Sequence, residues 1–186
     1  MGLDMYLYKK TYVKNWEHTD PKMKHEFEIK MGGEIRKDIK PERINYITEE
    51  VAYWRKFNAL HGWFVGECGG GVDECQEIYV ENGKLEELLG TLKKIQTLLN
   101  NSKMFVKTKD GYGQSYDINV YECEDEVREL LSPTSGFFFG SDEVDEYYKE
   151  EVDRTIEIIE NLFKEMENED AVRGLYSGEF YYRASW

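Results

Sequence analysis

The sequence predicts an α+β protein. One compact domain, residues 1–186, is expected, with a mainly antiparallel sheet packed against about three helices. Three observations carry this. The apolar spacing switches along the chain between a period of two and a period near 3.6. The elements follow in mixed order through short connections, without the regular strand–helix repetition of a parallel sheet. Hydrophobic residues are 40% and aromatics 15% of the 186, which fills one core and is too much for a disordered chain.

"LDMYLYKKTYV" (Leu3 to Val13) is rich in aromatic and branched residues and partly alternates, so it reads as a strand. "HEFEIKMGGEIRKDI" (His25 to Ile39) alternates Phe27, Ile29 and Met31, breaks at Gly32-Gly33 and resumes at Ile35. It reads as a β-hairpin, and residues 17–45 form an expected protruding region. From Thr48 the spacing becomes helical: Val51, Trp54, Phe57, Asn58, His61 and Val65 share a stripe. A helix over about 49–65 follows, with Thr48 as cap and Glu49 and Glu50 at its positive end. "GECGGGVDEC" ends it, because three glycines have no helical preference.

"EIYV" is a short strand, and "GKLEELLGTLKKIQTLLNN" is an amphipathic helix with Leu85, Leu88, Leu92, Ile95 and Leu99 on one face. "MFVKT" and "YDINVY" are strand candidates flanking the turn-like "KDGYG", and "EDEVRELL" forms a short helix. Ser141 is the expected N-cap of a long helix with the stripe Val144, Tyr148, Val152, Ile156, Ile159 and Met166. "GEFYYRASW" closes the chain as a strand.

Charge is unevenly placed. The chain carries 24 cations and 38 acids, a net −14; residues 122 to 170 hold 4 of the cations and 18 of the acids, so the remainder balances. The acidic segment repels nucleic-acid backbones and attracts basic surfaces. No apolar run is long enough to span a bilayer. "MGLDMYLYKK" lacks the pattern of a secretory signal, and no Ser or Thr stands where a myristoylation motif requires one. Cys68, Cys75 and Cys123 match no zinc framework and fit reduced thiols in a cytoplasm, with a Cys68–Cys75 redox pair as the alternative.

The candidate site lies in "YWRKFNALHGWFV". On a helix, Trp54, Asn58, His61 and Val65 fall on one line, with Arg55 and Lys56 at adjacent angles. Arg55 can fork onto a carboxylate or phosphate. In the plainer reading His61 is a satisfied core histidine, Asn58 holds a neighbouring backbone and Arg55 pairs with the acidic helix. "SPTSGFFFGS" is the second candidate, because three phenylalanines in an extended chain cannot all face one core. Phe138 and Phe139 then form an aromatic wall or a partner-binding patch. His18 and His25 make only a weak metal pair. No phosphate loop, dinucleotide fingerprint or nucleophile elbow is present, and no cofactor or metal is called for.

Several segments together resemble a family of small, largely uncharacterised proteins of tailed bacteriophages and prophages. The matching pieces are "MGLDMYL", "EVAYWRKFNALHGWFV", "GVDEC" with "YV", "SGFFFGS" with "DEYY", and "FYYRASW". The family pattern has Ala at Phe57 and "QSSW" at the ending, so the resemblance implies no shared role for Phe57 or Arg183. A glycolytic-kinase label attached to such proteins does not suit a chain of this length. The resemblance implies a phage accessory protein of the host bacterial cytoplasm, expected to act against host defence.

Three functions follow as expectations. The first is a non-enzymatic module that sequesters a small anionic ligand such as a signalling nucleotide through Trp54, Arg55, Lys56, Asn58, His61, Phe138 and Phe139. The second is an acidic inhibitor that uses the helix over roughly 143–167 as a decoy for a host defence protein. The third is a small nucleotide hydrolase with His61 as general base. A homo-oligomer is compatible with each.

Overall fold

The computed structural model describes residues 2–111, 114–173 and 178–186. The fold is α+β, with antiparallel sheets and, among the described residues, four α-helices. Its main sheet has four strands in the order β4-β1-β8-β5: β1 (Asp4–Tyr12), β4 (Tyr46–Arg55), β5 (Ile78–Val80) and β8 (Glu179–Ser185). All three pairings are antiparallel, so the N-terminal and C-terminal strands are the two central ones. Two small hairpins lie outside this sheet: β2 (Lys30–Met31) with β3 (Glu34–Ile35), and β6 (Met104–Gly111) with β7 (Gln114–Tyr121).

The sheet alternates as pleated strands must. Met5 and Leu7 of β1, Ala52 and Trp54 of β4, Ile78 and Val80 of β5, and Phe180, Tyr182 and Ala184 of β8 are buried on one face. Against them pack α1 (Asn58–Trp63), α2 (Asn82–Asn101), α3 (Glu124–Leu130) and α4 (Glu146–Arg173) in one continuous core. Leu85, Leu88, Leu92, Ile95 and Leu99 of α2 are buried in the same core as Val152, Ile156 and Ile159 of α4, each buried side chain contributing about 1.5–3 kcal/mol. The other face of the sheet carries a tyrosine array. Tyr6 packs on Tyr8 and Tyr53, and Tyr79 on Tyr181, with ring centroids 5.3–6.0 Å apart, while the Lys10 ammonium lies 4.2 Å from the Tyr181 ring. The cross-strand pairs Tyr6–Tyr53 and Tyr79–Tyr181 stabilise this half-exposed sheet face.

The main departure from expectation is at 49–65. Residues 46–55 are the edge strand β4, not the first half of a helix, and Thr48 pairs with Lys10 instead of capping. "YITEEVAYW" is dense in β-branched and aromatic residues, which pack well on a pleated surface, and β1 supplies a partner that local periodicity cannot reveal. Only Asn58–Trp63 is α-helical; a π-helical turn, Phe64–Cys68, follows. Lys56, at φ +60°, turns the chain between strand and helix, so Trp54 and Asn58 do not share a helical face.

Two smaller corrections concern capping and the hairpin. The α4 helix starts at Glu146, and the Asp145 carboxylate accepts from the Tyr148 N–H at 2.9 Å, so Asp145 does the capping expected of Ser141. Residues 142–145 stay non-helical because the Val144 carbonyl accepts from the Tyr121 N–H at the end of β7, while Val144 itself is fully buried. The hairpin expected over 25–39 pairs only two residues on each side of Gly32-Gly33. The tip of the "KDGYG" turn, residues 112–113, lies outside the described residues.

Candidate functional site

His61 is the buried centre of a polar relay that runs from the core out to the surface. It is 1% exposed; its Nδ1 lies 2.8 Å from the Tyr182 hydroxyl and its Nε2 3.1 Å from Asp73 Oδ2. The Trp186 indole N–H donates to the other Asp73 oxygen at 3.3 Å. An ionised carboxylate only accepts, which places the ring proton on Nε2 and leaves Nδ1 to accept from the Tyr182 O–H. Burial pushes the Tyr182 phenol well above its ordinary value, and the Asp73 charge adds to this, which keeps it a neutral donor. Phe139 meets the imidazole edge-on, with centroids 5.1 Å apart.

The glycine-rich segment makes this relay geometrically possible. Gly70 and Gly71 adopt φ of +63° and +79°, and the Gly71 N–H donates to the Val65 carbonyl at 2.9 Å. The chain reverses directly after the π-turn and brings Asp73 back over His61. Only glycine takes two successive left-handed positions without strain. Thus "GECGGGVDEC" is a turn that delivers a carboxylate to a histidine twelve residues upstream.

Asn58 anchors the phenylalanine loop. It is 3% exposed and uses its whole amide: Nδ2 donates to the Phe139 and Ser141 carbonyls at 3.0 and 2.6 Å, and Oδ1 accepts from the Thr134 N–H at 3.0 Å. Residues 134–141 are thereby tied to the first turn of α1. Gly62, one turn on, brings the same loop close; a Cβ there would collide with Thr134 Oγ1. Trp54 is 1% exposed and donates from Nε1 to Thr155 Oγ1 at 3.0 Å. For Asn58 and His61 the plainer reading of the sequence therefore describes what these side chains touch.

The remaining candidates sit at the surface. Arg55 and Lys56 are exposed and make no salt bridge among the described residues. The Arg55 carbonyl accepts from the Tyr147 hydroxyl. The Lys56 N–H donates to the Leu3 carbonyl at 2.8 Å, and the Leu3 N–H donates to the Phe138 carbonyl at 3.2 Å, so Leu3 joins the cationic turn to the phenylalanine loop. In that loop Phe137 is 93% exposed, Phe138 half-buried and Phe139 9% exposed, which is the division that consecutive phenylalanines require. The sequence does not single out Phe137, because only the register of the loop decides which ring is left in water.

The acidic segment divides into two parts. Ahead of α4, three carboxylates are paired within the fold. Glu143, almost fully buried, meets Lys109, Lys107 at 3.5 Å and Arg128 at 3.6 Å; Glu124 meets Lys107 and Arg128; Asp142 meets Lys109. Burial works to raise the Glu124 carboxyl, but the hydrogen bonds from Lys107 and Arg128 outweigh it and hold it below the usual range. The hydrogen bond from Lys109 holds Asp142 low as well. Along α4 the pattern changes. Asp153 pairs with Lys149, Glu151 with Arg154 and Glu160 with Lys93, whereas Glu146, Glu150, Glu157 and Glu165 are exposed and form no salt bridge among the described residues.

No three His, Cys, Asp or Glu side chains converge among the described residues as metal ligands would. Cys68, Cys75 and Cys123 are free thiols, and burial pushes the Cys68 thiol up to about 11, which leaves little thiolate near neutrality. No helix of the described residues is long and apolar enough to cross a membrane. No protein-family model, curated protein or solved structure matches the chain.

Proposed function

We propose that this chain is a non-enzymatic binding module whose acidic α4 face engages a basic surface on a partner protein. The observation that supports this reading best is the free carboxylate row Glu146, Glu150, Glu157 and Glu165. These four residues stay exposed, without a salt bridge among the described residues, while their neighbours on α4 hold cations. A helix stabilised only for its own sake gains from i,i+4 pairs, and Lys149–Asp153 shows one nearby. Even with Arg154 and Lys164 exposed beside it, the free row leaves this face negative on balance and suited to capture of an opposite charge. In the setting that the phage resemblance implies, the partner is a host defence protein in the bacterial cytoplasm and the acidic face acts as a decoy.

The test is affinity capture from bacterial lysate with the wild-type chain and with a Glu150→Gln/Glu157→Gln/Glu165→Gln variant. A partner held at low salt by the wild type, released at high salt and lost in the variant supports the reading. Identical capture by both proteins rejects it.

A second reading keeps the small anionic ligand, such as a nucleotide. Arg55 and Lys56 are adjacent, exposed and without salt bridges among the described residues, and Leu3 joins them to the loop that bears exposed Phe137 and half-buried Phe138. Guanidinium, ammonium and a free aromatic face suit a phosphate and a base. In this form Trp54, Asn58, His61 and Phe139 shape the site from beneath and do not touch the ligand. Calorimetry against cyclic and linear nucleotides, with Arg55→Ala/Lys56→Ala as control, tests it; no heat at millimolar ligand rejects it. Hydrolysis with His61 as base has the least support, since both ring nitrogens are already hydrogen-bonded within the fold, to Tyr182 and Asp73.

A further inference from the structure

The geometry points to the free edge of β4 as a docking site for an extended, basic segment of a partner protein, added as a fifth strand beside Ile47–Val51. The inference rests on the reading that the α4 face binds protein, and adds how the partner is held.

Three observations converge on this edge. First, among the described residues β4 pairs with β1 alone and ends the sheet, so one side of its main chain carries no strand. Second, α4 covers that side only in part. Arg154 donates to the Tyr53 carbonyl at 2.7 Å and Tyr147 to the Arg55 carbonyl, and no α4 side chain hydrogen-bonds the β4 backbone before Tyr53 among the described residues. Third, a trough opens where this cover stops. Two adjoining grooves of about 440 and 350 Å³ share Glu50, Val51, Ile158 and Asn161. A β-bulge lies in this floor, leaving Val51 without a partner on β1.

Edge strands are normally blunted, because bare N–H and C=O groups recruit other chains. Here the hydrogen bonds from α4 are confined to residues 53–55; the stretch 46–50 is exposed, with Lys24, His25, Glu26 and Phe27 lining a separate groove beside Ile47 and Glu49. A strand beside such an edge is held by main-chain hydrogen bonds, and its alternate side chains decide specificity. The trough is walled by Glu49, Glu50, Glu157 and Glu165, and its one cation among the described residues, Arg154, is engaged with Tyr53 and Glu151. The complementary strand carries Lys or Arg at alternate positions on the side facing α4. A second copy of this chain paired about Glu49 and Glu50 is disfavoured, since that register sets these carboxylates against their own duplicates. A nucleic-acid backbone meets the same repulsion.

The probe is a fluorescent peptide of alternating lysine and threonine, compared with the same peptide N-methylated at alternate backbone nitrogens. N-methylation keeps the charge and removes the main-chain donors. Anisotropy should show saturable binding of the parent peptide, weakened about tenfold or more by N-methylation, as expected for the loss of two or so hydrogen bonds. Amide hydrogen exchange should slow at residues 47–51 when the parent peptide is present. Glu49→Gln/Glu157→Gln should weaken the parent peptide while leaving unfolding midpoints unchanged. Equal binding of the two peptides, with no slowing at 47–51, overturns strand addition and leaves the acidic-face reading standing. Absence of binding by the parent peptide also overturns it, whereas the acidic-face reading falls only if the Gln variants of α4 capture the same partner.

Discussion

Removing the Asn58 amide should unfasten the 134–141 loop and cost the protein a large part of its stability. Asn58→Ala deletes three hydrogen bonds, to Phe139, Ser141 and Thr134, in a setting where the residue is 3% exposed. At a net value of about 1 kcal/mol per bond the loss is about 3 kcal/mol, and main-chain groups left dry add to it, giving about 3–5 kcal/mol. For a chain of this size each kcal/mol lowers Tm by about 2–4 °C, so a fall of about 6–20 °C is expected. Asn58→Asp separates hydrogen bonding from volume. It keeps the acceptor for Thr134 but sets an oxygen against two carbonyls at 3.0 and 2.6 Å. When protonated, the introduced carboxyl donates to one of them; when charged, it donates to neither. This variant should therefore lose stability, relative to wild type, as pH rises through the carboxyl range. Guanidinium titrations of the three proteins at several pH values measure it. A loss below about 1 kcal/mol for Asn58→Ala, with an unchanged m-value, would refute the clamp.

Three further predictions concern other contacts. Glu124 and Asp142 have folded-state pKa values below the ordinary range. Their stabilisation is therefore present above about pH 4 and lost as pH falls through the lower folded values; Lys107→Met should flatten the Glu124 part of that acid dependence in denaturant titrations and leave the Asp142 part, which Lys109 holds. Phe137→Ser should change stability by less than about 0.5 kcal/mol, because the ring is 93% exposed, while Phe139→Ala should cost about 3–5 kcal/mol, read by thermal melts. Tyr182→Phe strands the His61 Nδ1 without its donor and should cost about 1–3 kcal/mol, accompanied by a shift of the His61 imidazole resonances in NMR.

Much of the fold was legible because local pattern and tertiary role agreed. In α2 the leucine spacing that predicts a helix also supplies the buried face, and in β8 the alternation of Phe180, Tyr182 and Ala184 does the same for a strand. The stretch 46–55 misleads because Val51, Trp54, Asn58 and His61 fit a helical stripe by spacing alone, while the partner that makes a strand of it lies in β1, some forty residues away in sequence. The β-branched and aromatic content of "YITEEVAYW" is the signal that points the other way. The site was legible as residue types and not as contacts. Nothing local says that Asp73 returns to His61, that Tyr182 reaches the other ring nitrogen, or that Lys107 and Lys109 meet Glu143. Each of these pairings spans a reversal or a strand register, which composition does not encode.

The most direct test of the binding assignment compares two surfaces in one experiment. Lysate capture is run side by side with the wild-type chain, the Glu150→Gln/Glu157→Gln/Glu165→Gln variant and the Arg55→Ala/Lys56→Ala variant, all shown to melt alike. The α4 assignment predicts that the partner is lost with the glutamates and kept with the cations removed. A partner lost with Arg55 and Lys56 and kept by the glutamine variant would contradict it and move the site to the cationic turn.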